Sequence, residues 1–361
     1  MLDQDAIDYK KKGDITRQIP PPAEKNQSLR GFDDDYVDIV DYIVRLTHKI
    51  WEEGGLGLLY GSYQHDVTVW NSDGLAYSRE EIMAASAQTQ FAFPDARLIA
   101  DDVIWTGNDV DGFHTSHRIT WVAHNTGYST YGPPTGRKII RSGTANCFVR
   151  DNYIIEEWIA RDEISLIYQL GFDPNIVAER HARRTFHGEL PRQPSANVER
   201  VFGQTTPAAF PPKLDGDFDP EDFLRRVIHE IWNWRLLNKI HDYYAPAAIT
   251  HTAGRRDLYG YADLRCFILS LLAAFPDAAM DVDHVYWNGN AQDGYRVAVR
   301  WTFHGHHRGY GVYGEPTGGP VRILGITHFL IRNGKVVEEW MMFDELSLFK
   351  QVWLARVANG A

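Results

Sequence analysis

The chain has 361 residues, 44% hydrophobic and 24% charged, which fits a globular protein of about two domains and excludes disordered and fibrous classes for most of its length. Acidic residues number 48 against 37 basic ones, a net charge of −11 that argues against nucleic acid or an anionic membrane surface as partner. No apolar run approaches the roughly 18 residues of a membrane helix, the first residues lack a signal-peptide core, and two cysteines, Cys147 and Cys266, argue against a disulfide framework or structural zinc, so a reducing cytoplasm is the expected location.

Residues 1–35 read as an N-terminal arm. A helical segment then spans Tyr36–Leu58 and a short helix Arg79–Gln90. Three or four strands rich in β-branched and aromatic residues follow, the last two joined at Asp151-Asn152, and "DEISLIYQL" closes the set as a short amphipathic helix. Residues 176–218, rich in proline and polar side chains, read as a linker. The same order then returns. Asp219 is an N-cap with Pro220 in the first helical position, opening a segment to Tyr244. A helix spans Tyr261–Ala274, strands follow, Asn333-Gly334 makes a hairpin turn, and "DELSLFKQV" closes the copy.

The return is a sequence repeat at a spacing of 182. "FPDARLIADDVIWTGNDVDG" (93–112) matches "FPDAAMDVDHVYWNGNAQDG" (275–294), and "HNTGYSTYGPPTG" (124–136) matches "HHRGYGVYGEPTG" (306–318). "EEWIARDEISLIYQ" (156–169) matches "EEWMMFDELSLFKQ" (338–351). Over 118–169 about 20 of the 52 positions are identical. Each copy has the size of a domain, so the chain divides into a first domain at 36–175 and a second at 219–361. Helices first and antiparallel strands after is α+β logic, and a curved sheet wrapped around helices leaves a conical interior suited to a small molecule.

These motifs resemble the SnoaL-like polyketide cyclase family of the NTF2-like superfamily. The match rests on the His-x-x-Gly segment, the Pro-Thr-Gly turn, the Glu-x-Trp-x-x-x-Asp strand and the closing Gln-Leu-Gly. The first copy fits best, and the second ends Gln351-Val352 instead. The resemblance implies two tandem α+β cones without metal or nucleotide cofactor, frequent dimers, and a pocket for a small aromatic or polycyclic carbonyl or hydroxyl compound. Aldol-type cyclisation or cleavage is the first expectation. Dehydration, hydration and epoxide hydrolysis are alternatives, as is a tandem binding module without turnover. The copies are expected to pack as an internal pseudo-dimer through their sheets, and a homodimer of the whole chain stays open.

Asp162 and Asp344 stand four residues after Trp158 and Trp340, the tryptophans expected to bind substrate, so strand periodicity puts each pair on one face. A carboxylate beside an apolar, aromatic-lined strand has a raised pKa, useful for proton transfer. The resemblance places the acid/base of a cyclase at this Asp. The same residue, followed by Glu and Ser, also makes a good helix N-cap. His328, where the first copy has Asn146, is a candidate partner or a satisfied sheet histidine. A two-residue turn at Asn333-Gly334 predicts that it pairs with Glu339. Arg118 and Arg300, with His124 and His306, either bind substrate or form outer-face ion pairs. Tyr131 and Tyr313 flank the Gly-rich turn and are expected to rim the pocket or pack beside it. His304, His306 and His307 lack an acidic or cysteine partner in sequence, so no metal is expected. The second copy, with His328, Asp344 and the more apolar strand, is expected to be the catalytic one. Arg161 in the first is expected to hold a negative ligand or an ion pair on the opposite strand face.

Overall fold

The computed structural model describes residues 25–188, 207, 209–211 and 216–360. The chain divides into two compact units, the first reaching Gly171 and also grouping residues 287–289, the second holding the rest.

In the first unit α1 (Ile39–Trp51) forms because Asp38 caps it, accepting from Asp41 N at 2.9 Å, and because Ile39, Ile43, Leu46 and Ile50 make one apolar stripe. A short turn α2 (Leu59–Ser62) leads into a hairpin, β1 (Tyr63–Asn71) and β2 (Gly74–Tyr77). Ser78 and Glu81 then open α3 (Arg79–Ala92), Ser78 Oγ accepting from Glu81 N while the Glu81 carboxylate takes the Tyr77 N–H. Strands β3 (Arg97–Asn108), β4 (Gly112–His124), β5 (Lys138–Arg150) and β6 (Tyr153–Arg161) follow, then α4 (Glu163–Leu170).

The sheet has six strands in the order β2-β1-β6-β5-β4-β3, all antiparallel except β1 against β6. The sequence predicts three or four strands after two helices. The extra hairpin between those helices escapes that reading because "YQHDVTVWN" is polar along one edge and holds only Val67 and Val69 as buried aliphatics.

The second unit repeats this plan. Before it, α5 (Pro174–Thr185) crosses part of the stretch read as linker and packs on the closing helix α9 (Glu345–Ala358). Asp219 caps α6 (Pro220–Val227), with Pro220 as first helical residue. A π-helical turn (Ile228–Asn233) and a short turn α7 (Ile240–Tyr243) precede β7 (Tyr244–Thr252) and β8 (Arg256–Tyr259). Then come α8 (Gly260–Ala274), β9 (Ala279–Asn290), β10 (Gly294–His306), β11 (Pro320–Arg332) and β12 (Lys335–Phe343). Their order is β8-β7-β12-β11-β10-β9.

The repeated motifs are largely framework. Asn125 ties the Gly-rich segment together, its Oδ1 accepting from Thr135 N at 2.9 Å and its Nδ2 donating to Gly127 O. Gly127 and Gly309 lie against the end of α3 and of α8, where a Cβ would strike Phe91 O and Ala273 O. The closing Gln clamps helix to sheet. Gln169 exchanges two hydrogen bonds with the Ile140 backbone, and Gln351 does the same with Arg322.

Candidate active site

A cavity of about 610 Å³ opens in the first unit, between the sheet and helices α1 and α3. Lining residues fix which sheet face is inside. They include His117, Ile119 and Trp121 of β4, and Glu157, Ile159 and Arg161 of β6. Alternation therefore turns Trp158 of β6 and Arg118 of β4 to the opposite face.

The register explains the buried carboxylate. One residue, Ile155, bulges out of β6 where pairing shifts between Phe148 and Val149. Cys147 then pairs with Glu157, and both point into the cavity. Tyr63 Oη donates to Glu157 Oε2 at 3.2 Å and Cys147 Sγ lies 3.9 Å from Oε1. Burial pushes the Glu157 carboxyl above its ordinary pKa, opposed by the charge of Arg161 and by the bonds from Tyr63 and Cys147. Burial and the neighbouring Glu157 also push the Cys147 thiol well up, so it stays protonated and inert as a nucleophile. A second polar group sits near the start of α4. Arg141 Nη1 meets Glu163 Oε1 at 2.7 Å, Tyr131 Oη donates to Glu163 Oε2 at 2.8 Å, and the guanidinium lies over the Trp121 ring.

Of the first-copy residues singled out in the sequence, Tyr131 and Arg161 line this cavity. Trp158, Arg118, His124 and Asp162 do not. Asp162 is the N-cap of α4, its Oδ1 accepting from Ser165 N at 3.2 Å. Arg118 lies 4.0 Å from Asp101, and His124 is paired with Asp95 at 2.6 Å.

In the second unit Asp344 caps α9 in the same way, accepting from Ser347 N at 3.3 Å. The predicted pairing of His328 with Glu339 is wrong by one residue. Val337 bulges where pairing shifts between Leu330 and Ile331, so His328 pairs with Trp340 and Glu339 with Phe329. Trp340 stacks on His251, 5.6 Å between ring centroids. Arg300 is half-buried on β10, and His306 pairs with Asp277 at 2.8 Å. Tyr313 is buried, donating to Glu345 at 3.0 Å. His304 and His307 have other partners, Asp281 and Thr317, so the three histidines do not converge.

Glu339 is the counterpart of Glu157. It accepts from Thr250 Oγ1 at 2.9 Å and Tyr244 Oη at 3.0 Å, and burial raises its pKa to about 7. Its surroundings differ. Val299, Ile323, Phe329 and Phe343 stand where the first unit has His117, Arg141, Cys147 and Arg161. Trp301, replacing Ile119, lies across Gly325, where a Cβ would run into the indole, and donates to Thr327 Oγ1 at 2.8 Å.

Glu157 and Glu339 were legible as candidates. Each is the second acid of an "EEW" triplet kept in both copies, and on a strand one of two adjacent acids must face inward.

The family model described as SnoaL-like polyketide cyclase matches residues 223–352, so the second unit is a SnoaL-like domain. The first repeats its strand order and its motifs, so the chain holds two tandem units of this plan. Solved structures with a similar fold include a putative SnoaL-like polyketide cyclase from Jannaschia sp. CCS1, at 19% identity over 38% of this chain and 97% of that one, with a TM-score of 0.34. Another is IdmH, a putative polyketide cyclase from Streptomyces antibioticus (20%, 37% and 99%, TM-score 0.33). A third is AclR, a putative hydroxylase from Streptomyces galilaeus (23%, 37% and 93%, TM-score 0.32). No curated protein matches the chain.

Proposed function

We propose that the protein is an acid/base enzyme of the SnoaL-like type, working in the cavity of its first unit on a small aromatic or polycyclic carbonyl compound by aldol-type carbon–carbon chemistry. The observation that carries this reading is Glu157, a buried carboxyl with a raised pKa that reaches an open cavity lined by aromatic and aliphatic side chains. In its ionised form Glu157 accepts the proton from a carbon beside a carbonyl. The electron pair left behind becomes an enolate, and its carbon attacks a second carbonyl carbon. The new C–C bond forms as the carbonyl π pair moves to oxygen, and that alkoxide takes the proton back from Glu157. Atoms and electrons balance without a co-reactant.

This reading moves the acid/base role from Asp344, His328 and Asp162 to Glu157, and leaves the second unit as support. It is tested by incubating the full chain with a panel of bicyclic to tetracyclic keto acids and keto esters and following isomeric products by mass spectrometry. Glu157→Gln is expected to cut turnover by on the order of 10²–10⁴-fold, and Glu339→Gln to leave it within a few-fold. Undiminished turnover in Glu157→Gln would overturn the assignment.

A further inference from the structure

The polar groups of the first cavity do not cancel. Arg141 is committed: Glu163 holds it at 2.7 Å and Trp121 covers its face at 4.1 Å. Glu163 is committed in turn to Arg141 and Tyr131. Arg161 is different. It lines the cavity, is half-buried, and its side chain makes no hydrogen bond or ion pair with any of the described residues, although its charge is felt by Glu157. Its stem runs over Gly143, where a Cβ would lie in ordinary contact with Arg161 Cγ at 3.5 Å. A guanidinium kept in a cavity with its side-chain donors unspent is a receptor for a planar anion, since Arg matches a carboxylate through two parallel N–H···O bonds.

The same strand face sets the ligand's size. Glu157 and Arg161 are four residues apart with Ile159 between them, about 13 Å along the strand at roughly 3.3 Å per residue. An aromatic acid of two or three fused rings fits within that span. Aromatic residues stand at the opening, where Phe91 and Tyr128 line the cavity yet are 65% and 67% exposed. The second unit lacks the feature, because Phe343 occupies the Arg161 position and packs against Trp301 and Phe267.

We infer that the first unit's cavity binds a flat aromatic carboxylic acid of two or three rings, with the carboxylate on Arg161 and the ring edge toward Glu157. This rests on the reading of that cavity as the working site and names its substrate class.

The experiment measures binding of 2-naphthoate and of its neutral methyl ester to the full-length protein by titration calorimetry. The acid is expected to bind at least 10-fold tighter than the ester. Arg161→Met is expected to bring the acid down to the ester's affinity while ester binding holds, and Arg161→Lys to recover part of the preference. Circular dichroism checks the fold of each variant, and the Lys variant keeps the test decisive if Met perturbs folding. Equal affinity of acid and ester in the wild type, or a preference that survives Arg161→Met, would sink the inference. The two readings fail separately. Turnover that survives Glu157→Gln removes the acid/base role of Glu157 and leaves an acid preference governed by Arg161 standing.

Discussion

The two units share a frame and differ in what fills it. Each begins the closing helix with an Asp cap followed by a Glu that takes a tyrosine hydroxyl, Tyr131 on Glu163 and Tyr313 on Glu345. The arginine that balances that Glu comes from different places. In the first unit it is Arg141, inside the cone on β5. In the second it is Arg256, on the edge strand β8, with Ile323 at the interior position. Moving the cation to the edge frees the second interior for packing, and Trp301, Phe303 and Phe343 occupy it. One interior holds its charges around an open volume, the other around aromatic rings. A duplicated fold can thus separate the stabilising task from the binding task, because cores reward filling and sites require a gap.

The largest effect expected from this contrast is on packing. Trp301 is 3% exposed, and Trp301→Ala is expected to cost about 3–5 kcal/mol, removing both ring contacts and the bond to Thr327. Ile119→Ala at the matching position faces space that is already open, and is expected to cost less than about 2 kcal/mol. Urea unfolding of the two variants checks this. Equal costs would mean that the interiors are packed alike.

A smaller effect concerns pH. The Glu339 pKa of about 7 lies above the ordinary carboxyl value of 4.5, so the folded state holds the proton more tightly than the unfolded chain. The stability from that proton is fully present below pH 4.5 and is lost as pH rises through 7, on the order of 3 kcal/mol in total. Unfolding free energies of Glu339→Gln and wild type are expected to converge at low pH and to separate in favour of the variant above pH 7. The difference between the two proteins isolates Glu339 from Glu157, whose raised pKa acts in the same direction. A difference that stays constant with pH would show that folding leaves the Glu339 pKa at its unfolded value.

The duplicated frame was legible in the sequence because it lives in turns, caps and spacing. Asp219-Pro220, Asn333-Gly334 and the 182-residue period are local signals, and the structure follows them. The site was less legible for one physical reason. A single bulged residue, Ile155 or Val337, exchanges inside for outside along the rest of its strand, and nothing local marks which residue bulges. Without it, the eye falls on Trp158 and Asp162. With it, Glu157 and Arg161 face the cavity.

The smallest effect bears on those two aspartates, and it separates chemistry from capping. Asn caps a helix about as well as Asp, whereas Ala leaves the first-turn N–H groups without a partner and costs about 0.5–2 kcal/mol. Asp162→Asn and Asp344→Asn are therefore expected to leave stability and turnover almost unchanged, while the Ala variants lower thermal stability by an amount typical of a lost cap. The caps at Ser165 N and Ser347 N are matched in length, 3.2 and 3.3 Å, so the two units should respond alike. A sharp loss of turnover in Asp162→Asn, with the melting temperature intact, would return the proton-transfer role to the strand-end aspartate, since Asn keeps the cap and removes only the titrating oxygen. An unequal response, with Asp344→Asn alone impairing turnover, would move the working site to the second unit.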